Sequence, residues 1–236
     1  MEGCNTLTII ALAPAVFLLV KIYRADKLEP EPKPFLVKLV FKGILSTVFA
    51  VFTERIGQSL LLTFFEEGTY LYNFLFYFFV VALSEEGFKF LLLKKVTWYN
   101  PNFDCQFDAI VYAECVSLGF ALWENLQYVY GYGLATALVR AVTAVPGHAS
   151  FGIFMGIFYG YAKRLENYGM MKESKRNLRL SVIIPVLFHG FYDFCATSNG
   201  FLGSVVFVVF IILMFNYAKN AVKTFSENDS FFNKVI

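Results

Sequence analysis

The chain has 236 residues, of which 58% are hydrophobic and only 16% charged, with a formal net charge of +2. Soluble domains carry about 25% charged residues, so an ordinary soluble enzyme, a disordered chain and a disulfide miniprotein are all excluded. So small a net charge gives no sign of nucleic acid as a partner, and the balance predicts an all-α, polytopic membrane protein with one integral-membrane domain over 1–236.

The first apolar run, about Leu7–Val20, has no Lys or Arg before it. It therefore reads as an uncleaved first span rather than a signal peptide. A polar linker carrying Pro30, Pro32 and Pro34 follows. Further runs, about Phe35–Phe52, Thr69–Leu93, Phe107–Tyr130, Leu134–Tyr161, Leu180–Ala196 and Phe201–Tyr217, bring the expected spans to seven. Each predicts a helix, because a helix satisfies its own backbone in lipid. The segment at about 162–179 reads as the longest loop, short and basic. With the N-terminus outside, 17 of the 20 Lys and Arg fall on the cytoplasmic side, against Arg55 and Arg140 outside and Lys89 within a span. The positive-inside rule then predicts an external N-terminus and a cytoplasmic C-terminus.

Cys4, Cys105, Cys115 and Cys195 are dispersed, and the last three read as small buried hydrophobes. Gly152, Gly156 and Gly160 form a ridge of small residues, with Ala113, Ser117 and Ala121 on the preceding span. Such a ridge serves either packing within the chain or a homodimer.

Eight ionisable residues fall inside the expected spans: Glu85, Glu86, Lys89, Glu114, Glu124, His148, His189 and Asp193. Charges there cost about 2.5–3.5 kcal/mol each at mid-span for Asp, Lys or Arg, and are functional candidates by default. Lys89 lies one turn from Glu85 and Glu86, so it can partner one carboxylate and leave the other as a base. His189 and Asp193 are also one turn apart, so the carboxylate can orient the imidazole. At 1.5 Å per residue, Glu85 and His189 lie roughly 15 Å from the cytoplasmic span ends, Asp193 roughly 20 Å, and His148 and Glu124 roughly 22–26 Å. A kink at Pro146 is expected to absorb part of that scatter. The bland alternatives are a structural ion pair at Glu85, Glu86 and Lys89, and a helix–helix clamp at His189 and Asp193. Glu114 reads as structural. Glu66 and Glu67 read as a solvated loop, since E-E-x-x-K fails at Tyr70.

Glu85-Glu86-Gly87-Phe88-Lys89 matches E-E-x-x-K, Phe120 to Asn125 matches F-x-x-x-E-N, His148 to Gly152 matches H-x-x-x-G, and His189 to Asp193 matches H-x-x-x-D. In this order, on four successive hydrophobic segments, they resemble the PrsW family of intramembrane endopeptidases, over about residues 69–196. The family is distantly similar to the CAAX prenyl endopeptidases. The resemblance implies site-1 cleavage of a membrane-anchored anti-sigma factor in a bacterial plasma membrane. It makes Glu85 the general base on water and Glu86 its acid or structural partner, with Lys89 balancing charge. Glu124 would hold the water or a metal. His189, oriented by Asp193, would bind the oxyanion or protonate the leaving amine, and His148 would complete the site. This chain has Glu124 and Asp193 where the CAAX motifs carry His and Asn. A divalent metal such as zinc stays open, held by His148, His189 and one or two of Glu85, Glu86 and Glu124. No H-E-x-x-H helix is present. From the residues alone, a proton-coupled transporter and a catalytically silent scaffold subunit of the same fold also stay open.

Overall fold

The computed structural model describes residues 2–198 and 200–232, with side chains from Leu7 onward. The Cys4 side chain and Lys234 lie outside the described residues. The elements in chain order are α1 (Glu2–Ala25), α2 (Lys33–Leu61), α3 (Tyr70–Leu75), a π-helical segment (Phe76–Ala82), α4 (Leu83–Thr97), α5 (Gln106–Tyr132), α6 (Leu134–Val142), α7 (Ala144–Asn167), α8 (Met171–Ala196) and α9 (Phe201–Glu227). Among the described residues, five helical stretches are long and apolar enough to cross a membrane: Leu7–Ala25, Lys33–Leu61, Leu134–Asn167, Met171–Ala196 and Phe201–Glu227. The rod from Tyr70 to Thr97 and α5 are of similar length and carry most of the intramembrane ionisable residues.

Three boundaries differ from the sequence expectation. α2 runs on to Leu61 instead of stopping near Phe52, which puts Glu54 and Arg55 on the helix. The basic segment at 162–179 is mostly helix rather than loop, since α7 reaches Asn167 and α8 begins at Met171. Lys, Arg and Glu are good helix formers, and only Gly169, at φ +75°, turns the chain there. The run Leu134–Tyr161 is two helices, broken at Thr143 (φ −121°, ψ −72°). Pro146 therefore sits in the first turn of α7, where a missing N–H costs little, and the expected kink is a helix start.

α5 is the central post. It is buried on all sides from Gln106 to Ala121 and is enclosed by α7, α2 and α1. A helix that is apolar all round belongs in such a position. The ridge Gly152, Gly156, Gly160 is used inside the chain, against α5. A Cβ at Gly156 would stand 2.5 Å from Ile110 Cα and 2.8 Å from the Ala109 carbonyl oxygen. The ridge is therefore not a free face, and the homodimer expected as one use of it has no support. Gly156→Leu should force α5 and α7 apart at a cost of about 1–3 kcal/mol or more, read as a lower melting temperature of the detergent-solubilised protein.

Candidate active site

The π-helical segment Phe76–Ala82 precedes α4 and resets the face that Glu85 and Glu86 present. Such bulges recur at functional sites. Gly190 lets α8 close on this segment, since a Cβ there would lie 2.6 Å from Phe78 Cδ1 and 3.0 Å from Phe78 Cα. His189, the neighbouring residue, is thereby delivered to α4.

Four helices meet at one buried cluster. Lys89 Nζ on α4 donates to Glu86 Oε1 at 2.7 Å, to Glu85 Oε2 at 3.3 Å and to His148 Nδ1 on α7 at 3.1 Å. It also stands 4.0 Å over the Phe120 ring of α5, a favourable cation–π placement. An ammonium only donates, so His148 Nδ1 is the acceptor and Nε2 carries the hydrogen. That hydrogen points to Glu124 Oε2 on α5, 2.8 Å away. Glu124 is also bound by Arg140 Nη2 at 2.7 Å. Arg140 Nε reaches Asn125 Oδ1 at 2.9 Å, and Asn125 Nδ2 donates to the Ala11 carbonyl of α1 at 2.6 Å. The orientation of His148 is thus anchored through Glu124, Arg140 and Asn125 to α1.

His189 on α8 faces carboxylates on both sides. Nδ1 is 2.9 Å from Glu86 Oε1 and 3.9 Å from Glu85 Oε2, and Nε2 is 3.3 Å from Asp193 Oδ2. Phe151 stacks on its ring at 4.7 Å between centroids. The two imidazoles stand perpendicular, 5.4 Å apart. Glu86 is fully enclosed, whereas Glu85 retains 6% exposure.

The expected residues Glu85, Glu86, Lys89, Glu124, His148, His189 and Asp193 are all brought together, despite the 10 Å scatter of their expected depths. Glu114 is buried beside Gly152 on the α7 contact and takes no part in this cluster. Glu66 and Glu67 are exposed, as expected. One participant escapes sequence reading: Glu54, on the extension of α2. It lies within electrostatic range of Glu124, His189, Lys89 and Asp193, and its Oε1 is buried without a partner. Its only signal was an acidic residue just past an apolar run, which reads as loop.

One ligand atom each from Glu85, Glu86, His148 and His189 lie within 4.8 Å of one another. Two imidazoles and two carboxylates are a donor set that zinc accepts, and Glu86 Oε2 is buried there without a partner. These residues therefore fit a metal. Of the three glutamates weighed as ligands, Glu85 and Glu86 stand in this group, and Glu124 lies beyond His148 and orients it. The Lys89 ammonium already holds three of the four donors, so a dication would have to displace it.

The family model described as "PrsW family intramembrane metalloprotease" matches residues 31–217. "Protease PrsW" of Oceanobacillus iheyensis is 36% identical over 218 residues, covering 92% of this chain and 94% of that protein. The protein of the same name from Bacillus subtilis is 33% identical over 209 residues, 85% of this chain and 88% of its own. That of Clostridioides difficile is 29% identical over 214 residues, 88% and 86% of the two chains. No solved structure matches the chain.

Proposed function

This chain belongs to the PrsW family of bacterial multi-pass membrane proteases, and from that premise we propose that it hydrolyses one peptide bond of a single-span membrane protein, as site-1 cleavage of an anti-sigma factor. The observation that carries the reading is the convergence of Glu85, Glu86, Lys89, His148 and His189, from three helices, on one buried cluster. Seven spans, with the N-terminus outside, place this cluster in mid-membrane or the outer half.

Glu85 is the general base. It is the less tightly held of the two adjacent carboxylates and the only one with residual exposure. It takes a proton from water, whose oxygen attacks the scissile carbonyl carbon. Glu86 is the structural partner that holds Lys89 and His189. His189 offers N–H groups to the developing oxyanion, or a proton to the leaving amine. Its Nε2 contact to Asp193, at 3.3 Å, is longer than the Nδ1 contact to Glu86 at 2.9 Å and is the one to yield to a substrate oxygen; until then Asp193 sets the ring's orientation. Glu124 is a positioning residue that fixes the His148 tautomer. A metal held by Glu85, Glu86, His148 and His189 would polarise water and the scissile carbonyl.

The test is cleavage of a single-span, anti-sigma-like substrate by the purified protein in detergent, with and without chelator. Product in untreated protein supports the protease reading. Loss on chelation, restored by zinc, assigns the metal to the reaction. Unchanged product in chelator leaves Glu85 to work alone. No product across a varied panel of single-span substrates would overturn the reading.

A further inference from the structure

A second cluster of acidic groups lies at the other end of α5. Asp26 follows α1, Asp108 is in the first turn of α5, and Asp229 follows α9. One oxygen from each of the three lies within 4.8 Å of the others. Asp26 and Asp108 are 4% and 1% exposed, and Glu31, in the α1–α2 linker, is 4% exposed. Asp108 and Glu124 are 16 residues apart, or about 24 Å along the helix, so this cluster is separate from the catalytic one.

Helix capping accounts for part of it. Asp108 Oδ2 accepts from the Asp104 and Cys105 N–H groups at 3.1 and 2.7 Å, and Asp229 Oδ1 accepts from Phe107 N–H at 2.9 Å. Asp26 Oδ2 accepts from Glu31 N–H at 3.3 Å. Two oxygens are left over. Asp26 Oδ1 and Glu31 Oε2 are buried and have no partner. A helix N-terminus supplies about half a positive charge. Arg164 attracts Asp229, and its Nη2 is 2.9 Å from Ser230 Oγ. That is too little for three or four buried carboxylates, since buried charges are paired or coordinate metals. Asp104 adds further negative charge beside Glu31.

We propose that Asp26, Asp108 and Asp229, with Glu31 beside them, form a binding site for a hard divalent cation, calcium or magnesium. The donors are all carboxylate oxygens, the choice of such ions. Bonds of about 2.0–2.6 Å set opposite oxygens about 4–5 Å apart around one ion, which the cluster already meets. The ion would tie the α1–α2 linker and the segment after α9 to the start of the central helix.

The full chain in detergent is stripped with EDTA, desalted and titrated with calcium chloride and with magnesium chloride, by calorimetry and by thermal melting. One saturable site with a raised melting temperature is expected for at least one ion. Asp26→Asn should abolish both responses while melting cooperatively without ion. Asp229→Asn should weaken binding at least tenfold, and stands as the arbiter should Asp26→Asn not fold. Glu85→Gln should keep the full response. The proposal is overturned by no binding of either ion to the wild type. It is equally overturned by binding that survives both aspartate variants, or by a response lost in Glu85→Gln.

Discussion

Glu85→Gln is expected to reduce cleavage by about 10²- to 10⁴-fold, the span that a positioned general base contributes. The amide keeps the shape and can still accept a hydrogen bond from Lys89, but it cannot take a proton from water. Glu85 is the carboxylate left free for this. Its neighbour Glu86 is pinned between Lys89 Nζ at 2.7 Å and His189 Nδ1 at 2.9 Å, whereas Glu85 lies 3.3 and 3.9 Å from the same atoms. The measurement is single-turnover cleavage, beside a melting curve that shows the variant folded. A variant that keeps a tenth or more of the wild-type rate would remove Glu85 as the base and move that role to Glu86 or Glu54.

Lys89→Met is expected to destabilise the protein by about 3–5 kcal/mol, the cost of leaving a buried charge without its partner. Lys89 is fully buried and bonds Glu86, Glu85 and His148 at once. Methionine fills the space but leaves two adjacent carboxylates facing each other beside Glu124 and Glu54. Reversible denaturation in mixed micelles reads the loss. Glu86→Gln combined with Lys89→Met removes one charge of each sign and should recover most of it, because a pair replaced by neutral groups of similar volume is often nearly neutral. If Lys89→Met melts like the wild type, the carboxylates are neutralised by another cation or by protons, and the lysine is not their counter-ion.

Much of the site is legible in the sequence. The one-turn spacings of Glu85, Glu86 and Lys89, and of His189 and Asp193, place their partners on shared faces, and these contacts form. Depth along a span carries no information on which way a residue faces across the bundle, so the sequence leaves open which of Glu85, Glu86 and Glu124 stand with His148 and His189; Glu85 and Glu86 do, and Glu124 stands beyond His148. Glu54 was missed because a helix end cannot be located where polar residues follow an apolar run without Gly or Pro. The same uncertainty made a loop of the basic segment that α7 and α8 largely occupy.

The amino-acid order by itself determined the all-helical membrane class and which ionisable residues fall within apolar runs, and its four ordered motifs carried the resemblance to the family. The first two follow from local quantities: apolar run length, the energetic cost of a charge in lipid, and one-turn spacing. Tertiary structure alone decided the rest. Close approach at Gly156 turned the small-residue ridge inward against α5. Close approach at Gly190 and the π-helical segment joined α8 to α4. The ends of α1, α5 and α9 brought three distant aspartates to one point. These outcomes depend on how helices pack against one another, and no spacing within a single helix encodes that.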